Sequence, residues 1–278
     1  KEIEKIGIPV LGTIPIMKNN GILSKGHRSK DHNRKTAFDS EALQISSHLV
    51  THTEPKSAVS EAYRTFRTNL QFTQADGLLK TILVTSPGPS EGKSTTIANL
   101  AITFSQSGLK TLLVDTDLRK PVLHSVFGVS KEPGLVHFLS GKADLKSVIK
   151  PTPIENIFLI PAGIVPPNPN ELLGSQKFKE LVQEVKKEFD FVLFDSPPMM
   201  AVADATVLST VLDGVVIVIS AGQSHFHTTE KIVSVLKGVK AKVLGGVLNK
   251  VKLEKIYGGY PYYYHYYQEI HHVHIKDS

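Results

Sequence analysis

Lys93, Ser94, Asp115, Asp117 and Asp195 are the side chains of this sequence best suited to handling phosphate groups, and each follows a short apolar run. Gly92, Lys93, Ser94 and Thr95 close the stretch TILVTSPGPSEGKSTT. In a turn of this kind, successive backbone N–H groups face inward and meet the positive end of the following helix, which suits polyphosphate oxygens. An ammonium at position 93 would reach the β and γ phosphates, and the Ser94 hydroxyl would sit on Mg²⁺. The loop departs from the plain G-x-x-x-x-G-K-[ST] pattern, because Pro87 stands where the first glycine belongs. Gly88, Ser90, Glu91, Gly92, Lys93, Ser94 and Thr95 are the residues expected to bind the nucleotide.

The carboxylates come from two further apolar runs. Leu112, Leu113 and Val114 lead to Asp115, Asp117 and Arg119, and Val192, Leu193 and Phe194 lead to Asp195. In open α/β sheets ligands bind at the carboxyl ends of strands, so these acids should reach the same crevice as the loop. Asp117 and Asp195 are expected to hold the metal or its waters, Asp195 from the side opposite Ser94.

The elements that must carry these residues can be read from periodicity. Ile82 to Val84, Leu112 to Val114, NIFLIPAG, Val192 to Phe194, VVIVISA and KVLGGVLNKV read as short buried strands alternating with helical segments. That alternation predicts an α/β domain with a mostly parallel sheet and helices on both faces, and the loop ending Gly92-Lys93-Ser94 makes it P-loop NTPase-like. Ahead of the loop, Ala62, Phe66 and Leu70 recur at four-residue intervals from Ser57 onward. On the same helix Glu61, Arg64 and Arg67 recur every third residue as a charged stripe.

At 278 residues and 41% hydrophobic content the chain can bury a sizeable core. It contains no cysteine, which excludes disulfides and Cys-ligated zinc or iron–sulfur chemistry. The net charge is +6, and no run of eighteen apolar residues is present. The chain starts with Lys and carries no signal peptide, so it reads as a cytoplasmic fragment of something longer. Residues 1–30 begin with an apolar stretch, 31–55 read as a linker continuing a polar, basic arm, 56–255 as the main domain and 256–278 as a tail. Tyr257, Tyr260, Tyr262, Tyr263, Tyr264, Tyr266 and Tyr267 in that tail are seven of the eight tyrosines. They have no hydrophobic periodicity beside them and so look unlike a core element.

Taken in order, these motifs resemble the bacterial tyrosine kinases. Ser86 to Thr95 is similar to their degenerate Walker A, the run ending Asp115-Thr116-Asp117-Leu118-Arg119 to their Walker A′, and Val192 to Pro198 to their Walker B. Glu61-Ala62-Tyr63-Arg64-Thr65-Phe66-Arg67 fits their E-x-x-R-x-x-R oligomerisation motif, and the tyrosine-rich end matches as well. The segment IGIPVLGTIPI looks like the cytoplasmic stretch after the second membrane helix of the polysaccharide co-polymerase, the family's membrane activator. Gly88 stands where MinD and ParA relatives carry a signature lysine, which favours the kinase reading.

The resemblance implies ATP and Mg²⁺ as cofactors and an ATP-dependent protein-tyrosine autokinase regulating capsule or exopolysaccharide synthesis and export. It implies Asp115 as the base toward the incoming tyrosine hydroxyl, with Asp117 not separable from it by sequence, and Asn249 as an adenine contact. The seven tail tyrosines become phosphoacceptors, entering the site of a neighbouring subunit in a homo-oligomeric ring, an octamer, held by Glu61, Arg64 and Arg67. Other implied partners are the membrane activator and a phosphotyrosine phosphatase, with no nucleic acid, at the cytoplasmic face of the bacterial cell membrane. The competing readings are a MinD-like membrane-associated ATPase and a non-catalytic nucleotide-binding regulator.

Overall fold

The structure is a computed structural model and describes residues 5–17, 37–73 and 79–252. In chain order it runs β1 (Val10–Pro15), α1 (Ala37–Ser47), α2 (Val50–Thr53), α3 (Ala58–Phe72), β2 (Thr81–Thr85), α4 (Lys93–Gln106) and β3 (Thr111–Asp115). Next come α5 (Leu123–Val126), α6 (Leu135–Leu139), α7 (Leu145–Val148), β4 (Lys150–Pro151), β5 (Ile157–Ile160), α8 (Pro169–Leu173) and α9 (Gln176–Glu188). The chain continues with β6 (Phe191–Asp195), α10 (Asp204–Ser209), β7 (Gly214–Ser220), α11 (Phe226–Gly238) and β8 (Val243–Val251).

The strands form one eight-stranded sheet in the order β1-β8-β7-β2-β6-β3-β5-β4. All neighbours are parallel except the short edge pair β4 and β5. The mostly parallel α/β sheet expected from the alternation is therefore present. Side chains alternate across it: Leu83, Val114, Phe194 and Ile217 pack on one face with Phe178 of α9 and Ile232 of α11. Ile82, Val84, Leu113, Leu193 and Val216 pack on the other with Phe66 of α3 and Ile97 of α4. Both faces are covered, which is why the strands read as continuous apolar runs.

The helix ahead of the loop starts where expected. Ser57 caps α3, its hydroxyl accepting from the Ser60 N–H at 3.2 Å. Its buried stripe is Tyr63, Phe66 and Leu70, with Ala62 only half-buried, so the face is turned by about one residue from the expected spacing. Tyr63 is fully buried and takes the place expected of Ala62 because a large ring fills the gap against α4 better than a methyl.

Two findings concern the N-terminal third. The apolar stretch at the start supplies β1, an edge strand parallel to β8. Within the expected linker at 31–55, residues 37–53 include the helices α1 and α2. Ala42, Ile45, Leu49 and Val50 pack into the core beside α4. Asn99 of α4 secures them, accepting from the Thr51 N–H and hydroxyl at 3.1 and 2.9 Å and donating to the His48 carbonyl at 2.9 Å. Four buried apolar side chains contribute more than the polar composition of the neighbouring residues suggested. The tail beyond Lys252, including all seven clustered tyrosines, lies outside the described residues.

Candidate active site

The phosphate loop joins β2 to α4. Gly92 caps α4 with φ 91°, a left-handed backbone that disfavours any side chain, and a Cβ there would collide with the Asn249 amide. Ser90 is left-handed too, at φ 58°. Within the loop the Gly88 N–H donates to Glu91 Oε1 at 2.9 Å, and the Ser86 hydroxyl donates to the Gly88 carbonyl at 2.7 Å. The chain after β6 lies against the loop's entry, with the Met199 N–H donating to the Ser86 carbonyl at 2.9 Å.

Lys93, Ser94, Asp117 and Asp195 meet at one place. The Lys93 Nζ lies 3.5 Å from Asp117 Oδ2, 3.8 Å from Asp195 Oδ1 and 3.3 Å from Ser94 Oγ. Ser94 Oγ donates to Asp195 Oδ2 at 2.7 Å. Asp115 and Asp195 are register partners on adjacent strands, β3 and β6. Thr95 is half-buried in the first turn of α4, its carbonyl accepting from Asn99. Asn249 stands at the end of β8, its amide turned onto the loop, where it donates to the Glu91 carbonyl at 2.9 Å.

Sequence comparison gives this site a context. A family model for the AAA domain matches residues 80–250. Tyrosine-protein kinase YwqD of Bacillus subtilis is 43% identical over 215 residues, covering 77% of this chain and 90% of that protein. Among solved structures, the chimerical protein CapA2B2 superposes with a TM-score of 0.76 at 32% identity, covering 90% of this chain and 97% of that one. The kinase domain of the Escherichia coli tyrosine kinase ETK does so with a TM-score of 0.78 at 30% identity, covering 91% and 94%. The chain belongs to the bacterial tyrosine-kinase family.

The kinase holds its carboxylates under electrostatic strain. Burial pushes the Asp115 carboxyl well above the ordinary range, and the charges of Asp195 and Asp117 push it further, against the Leu123 N–H and Lys93. Burial likewise raises Asp195, with Lys93 and Ser94 opposing. Asp115 Oδ1 and Asp195 Oδ1 are buried without a hydrogen-bond partner. Asp115, Asp117 and Asp195 thus crowd around Lys93, and unpartnered buried oxygens are what a divalent cation would satisfy. Among the described residues no three His, Cys, Asp or Glu side chains are grouped to hold a metal alone. Mg²⁺ takes one or two carboxylates and completes its shell with phosphate oxygens and water, so the fit rests on the two unpartnered oxygens.

Two features were not legible in the spacing. Arg119, at the end of the Asp115 run, forms a bidentate pair with Asp204 of α10, at 2.8 and 3.2 Å. Asp204 is fully buried, and nothing in its sequence surroundings sets it apart. Gln223 and Lys250 hold the outside of the phosphate loop. The charged stripe on α3 also divides: Glu61 and Arg64 pair with each other, whereas Arg67 Nη1 turns inward and donates to the Thr103 carbonyl of α4.

Proposed function

We propose that this chain is an ATP-dependent protein-tyrosine kinase that phosphorylates its own C-terminal tyrosines, one subunit acting on the next within a homo-oligomer. The observation that carries this reading is the convergence of Lys93, Ser94, Asp117 and Asp195 at the carboxyl ends of β2, β3 and β6. ATP and Mg²⁺ are the proposed cofactors, and magnesium when bound neutralises phosphate charge. Ser94, Asp117 and Asp195 are the proposed ligands. Lys93 would then exchange its carboxylate neighbours for β and γ phosphate oxygens, keeping the charge balanced.

Asp115 is the proposed proton acceptor for the tyrosine hydroxyl. Burial and the neighbouring charges of Asp195 and Asp117 raise its proton affinity, the direction that a proton acceptor needs. The acceptors are Tyr257, Tyr260, Tyr262, Tyr263, Tyr264, Tyr266 and Tyr267, whereas Tyr63 is fully buried in α3. Each phosphate added brings about −1.5 to −2 charges, so a modified tail would be repelled by Asp115 and Asp117. Release of a modified tail gives such an oligomer a physical route to disassembly.

Regulation of capsule or exopolysaccharide synthesis at the cytoplasmic face of the membrane, with a membrane activator and a phosphatase as partners, completes the proposal. Among the described residues no helix is long and apolar enough to cross a membrane. The test is incubation with ATP and Mg²⁺, followed by phosphotyrosine detection and mass spectrometry of residues 256–278. Wild type should become phosphorylated and Lys93→Met should not. ATP hydrolysis without phosphotyrosine would support the MinD-like ATPase, and binding without turnover the non-catalytic regulator.

A further inference from the structure

Three consecutive carbonyls of the phosphate loop are turned outward onto side chains from the far ends of β7 and β8. Gln223 Nε2 donates to the Pro89 carbonyl at 3.1 Å, Lys250 Nζ to the Ser90 carbonyl at 2.7 Å and Asn249 Nδ2 to the Glu91 carbonyl at 2.9 Å. The three donors are themselves connected. Lys250 Nζ also reaches Gln223 Oε1 at 3.3 Å, and the Lys250 N–H donates to Asn249 Oδ1 at 2.9 Å.

A trans peptide is planar, with its C=O and N–H pointing in opposite directions. Fixing the carbonyls of Pro89, Ser90 and Glu91 outward therefore fixes the N–H groups of Ser90, Glu91 and Gly92 on the inner side. Left-handed backbone at Ser90 and Gly92 has the same effect, since alternation of this kind gathers successive N–H groups into an anion-binding concavity. We propose that Gln223, Asn249 and Lys250 are positioning residues that preset these N–H groups for a triphosphate. Asn249, on this account, supports affinity for any triphosphate through the Glu91–Gly92 peptide, whatever base is attached.

This inference rests on the nucleotide reading of the loop, and the experiment separates the two. Dissociation constants for MgATP, MgGTP and inorganic tripolyphosphate are measured with Asn249→Ala, Gln223→Ala, Lys250→Ala and Lys250→Arg, with thermal midpoints of the nucleotide-free proteins alongside. Asn249→Ala and Lys250→Ala should each weaken all three ligands by about fivefold. Lys250→Arg should restore binding, KM for ATP should rise more than kcat falls, and the midpoints of the exposed Gln223 and Lys250 variants should hold.

A loss confined to ATP would make Asn249 an adenine contact and overturn the inference, as would unchanged affinity in folded variants. If Asn249→Ala fails to fold, the exposed Lys250 and Gln223 carry the test. The loop reading itself fails if wild type binds no triphosphate, or if Lys93→Met binds it unchanged.

Discussion

Ser94 Oγ donates to Asp195 Oδ2 at 2.7 Å, tying the first turn of α4 to the tip of β6. An amide at 195 can still accept that bond, but it removes a buried negative charge facing Asp115. Asp195→Asn should therefore lower the initial rate of phosphotyrosine formation at least about a hundredfold. The thermal midpoint of the nucleotide-free protein should hold or rise, because one of the mutually repelling charges is gone. A fall in midpoint matching the fall in rate would count against this account.

Arg119→Ala would leave the fully buried Asp204 carboxylate without its bidentate partner. Arg119 is 41% exposed on its side chain, so the expected cost sits near the lower end for a broken buried pair, about 2 kcal/mol in urea melts. Arg119→Lys should recover only part of it, since an ammonium does not reproduce the two-pronged contact.

Asp213 secures the opposite end of the sheet. Burial raises its carboxyl, but Lys186 at 2.5 Å and the Thr81 and Lys80 N–H groups at 2.9 and 3.0 Å outweigh it and hold it below the ordinary range. A carboxyl depressed on folding binds fewer protons in the folded state. Its stabilisation is present above the unfolded value of about 3.9 and is lost as pH falls through the folded one. Asp213→Asn should be about 1–2 kcal/mol less stable than wild type at pH 7, and the gap should narrow toward pH 3.

Glu61, Arg64 and Arg67 should separate in their effects on stability. Glu61 is exposed, so Glu61→Ala should change monomer stability by less than about 0.5 kcal/mol, whereas Arg64→Ala also removes a bond to the Pro55 carbonyl and should cost up to about 1 kcal/mol. Arg67→Ala removes a bond to the Thr103 carbonyl and should cost about 1 kcal/mol even in the monomer. Melts at a concentration where native mass spectrometry shows single subunits test this without interference from assembly.

The central strands and the loop were legible because buried parallel strands leave unbroken apolar runs, and Gly92-Lys93-Ser94 sits between one such run and a helix. Asp115 and Asp195 announced themselves by ending those runs. The helices over 37–53 did not, because Ala42, Ile45, Leu49 and Val50 are set among polar residues, and their burial depends on Asn99 about fifty residues away in sequence. Asp204, Gln223 and Lys250 were equally silent, since their partners come from distant segments and no local pattern encodes such pairs.

Gly12 lets β1 approach α3 closely, and a Cβ there would lie 2.9 Å from the Phe66 Cβ. Gly12→Val should force the strand away from the helix and cost about 1–3 kcal/mol. Hydrogen exchange should show the loss first in β1 and in the β8 amides that face it.

That pairing has a further consequence. The Ile16 N–H donates to the Val251 carbonyl at 3.0 Å, and Pro15 is in register with Val251, one residue past Lys250. The N-terminal strand thus splints the stretch of β8 from which Asn249 and Lys250 lean over the nucleotide cradle. If Asn249 and Lys250 preset the loop as proposed, loosening this strand should weaken triphosphate binding. Asp195 lies three strands further in, beyond β7 and β2, and so should feel that loosening less than Asn249 and Lys250 do.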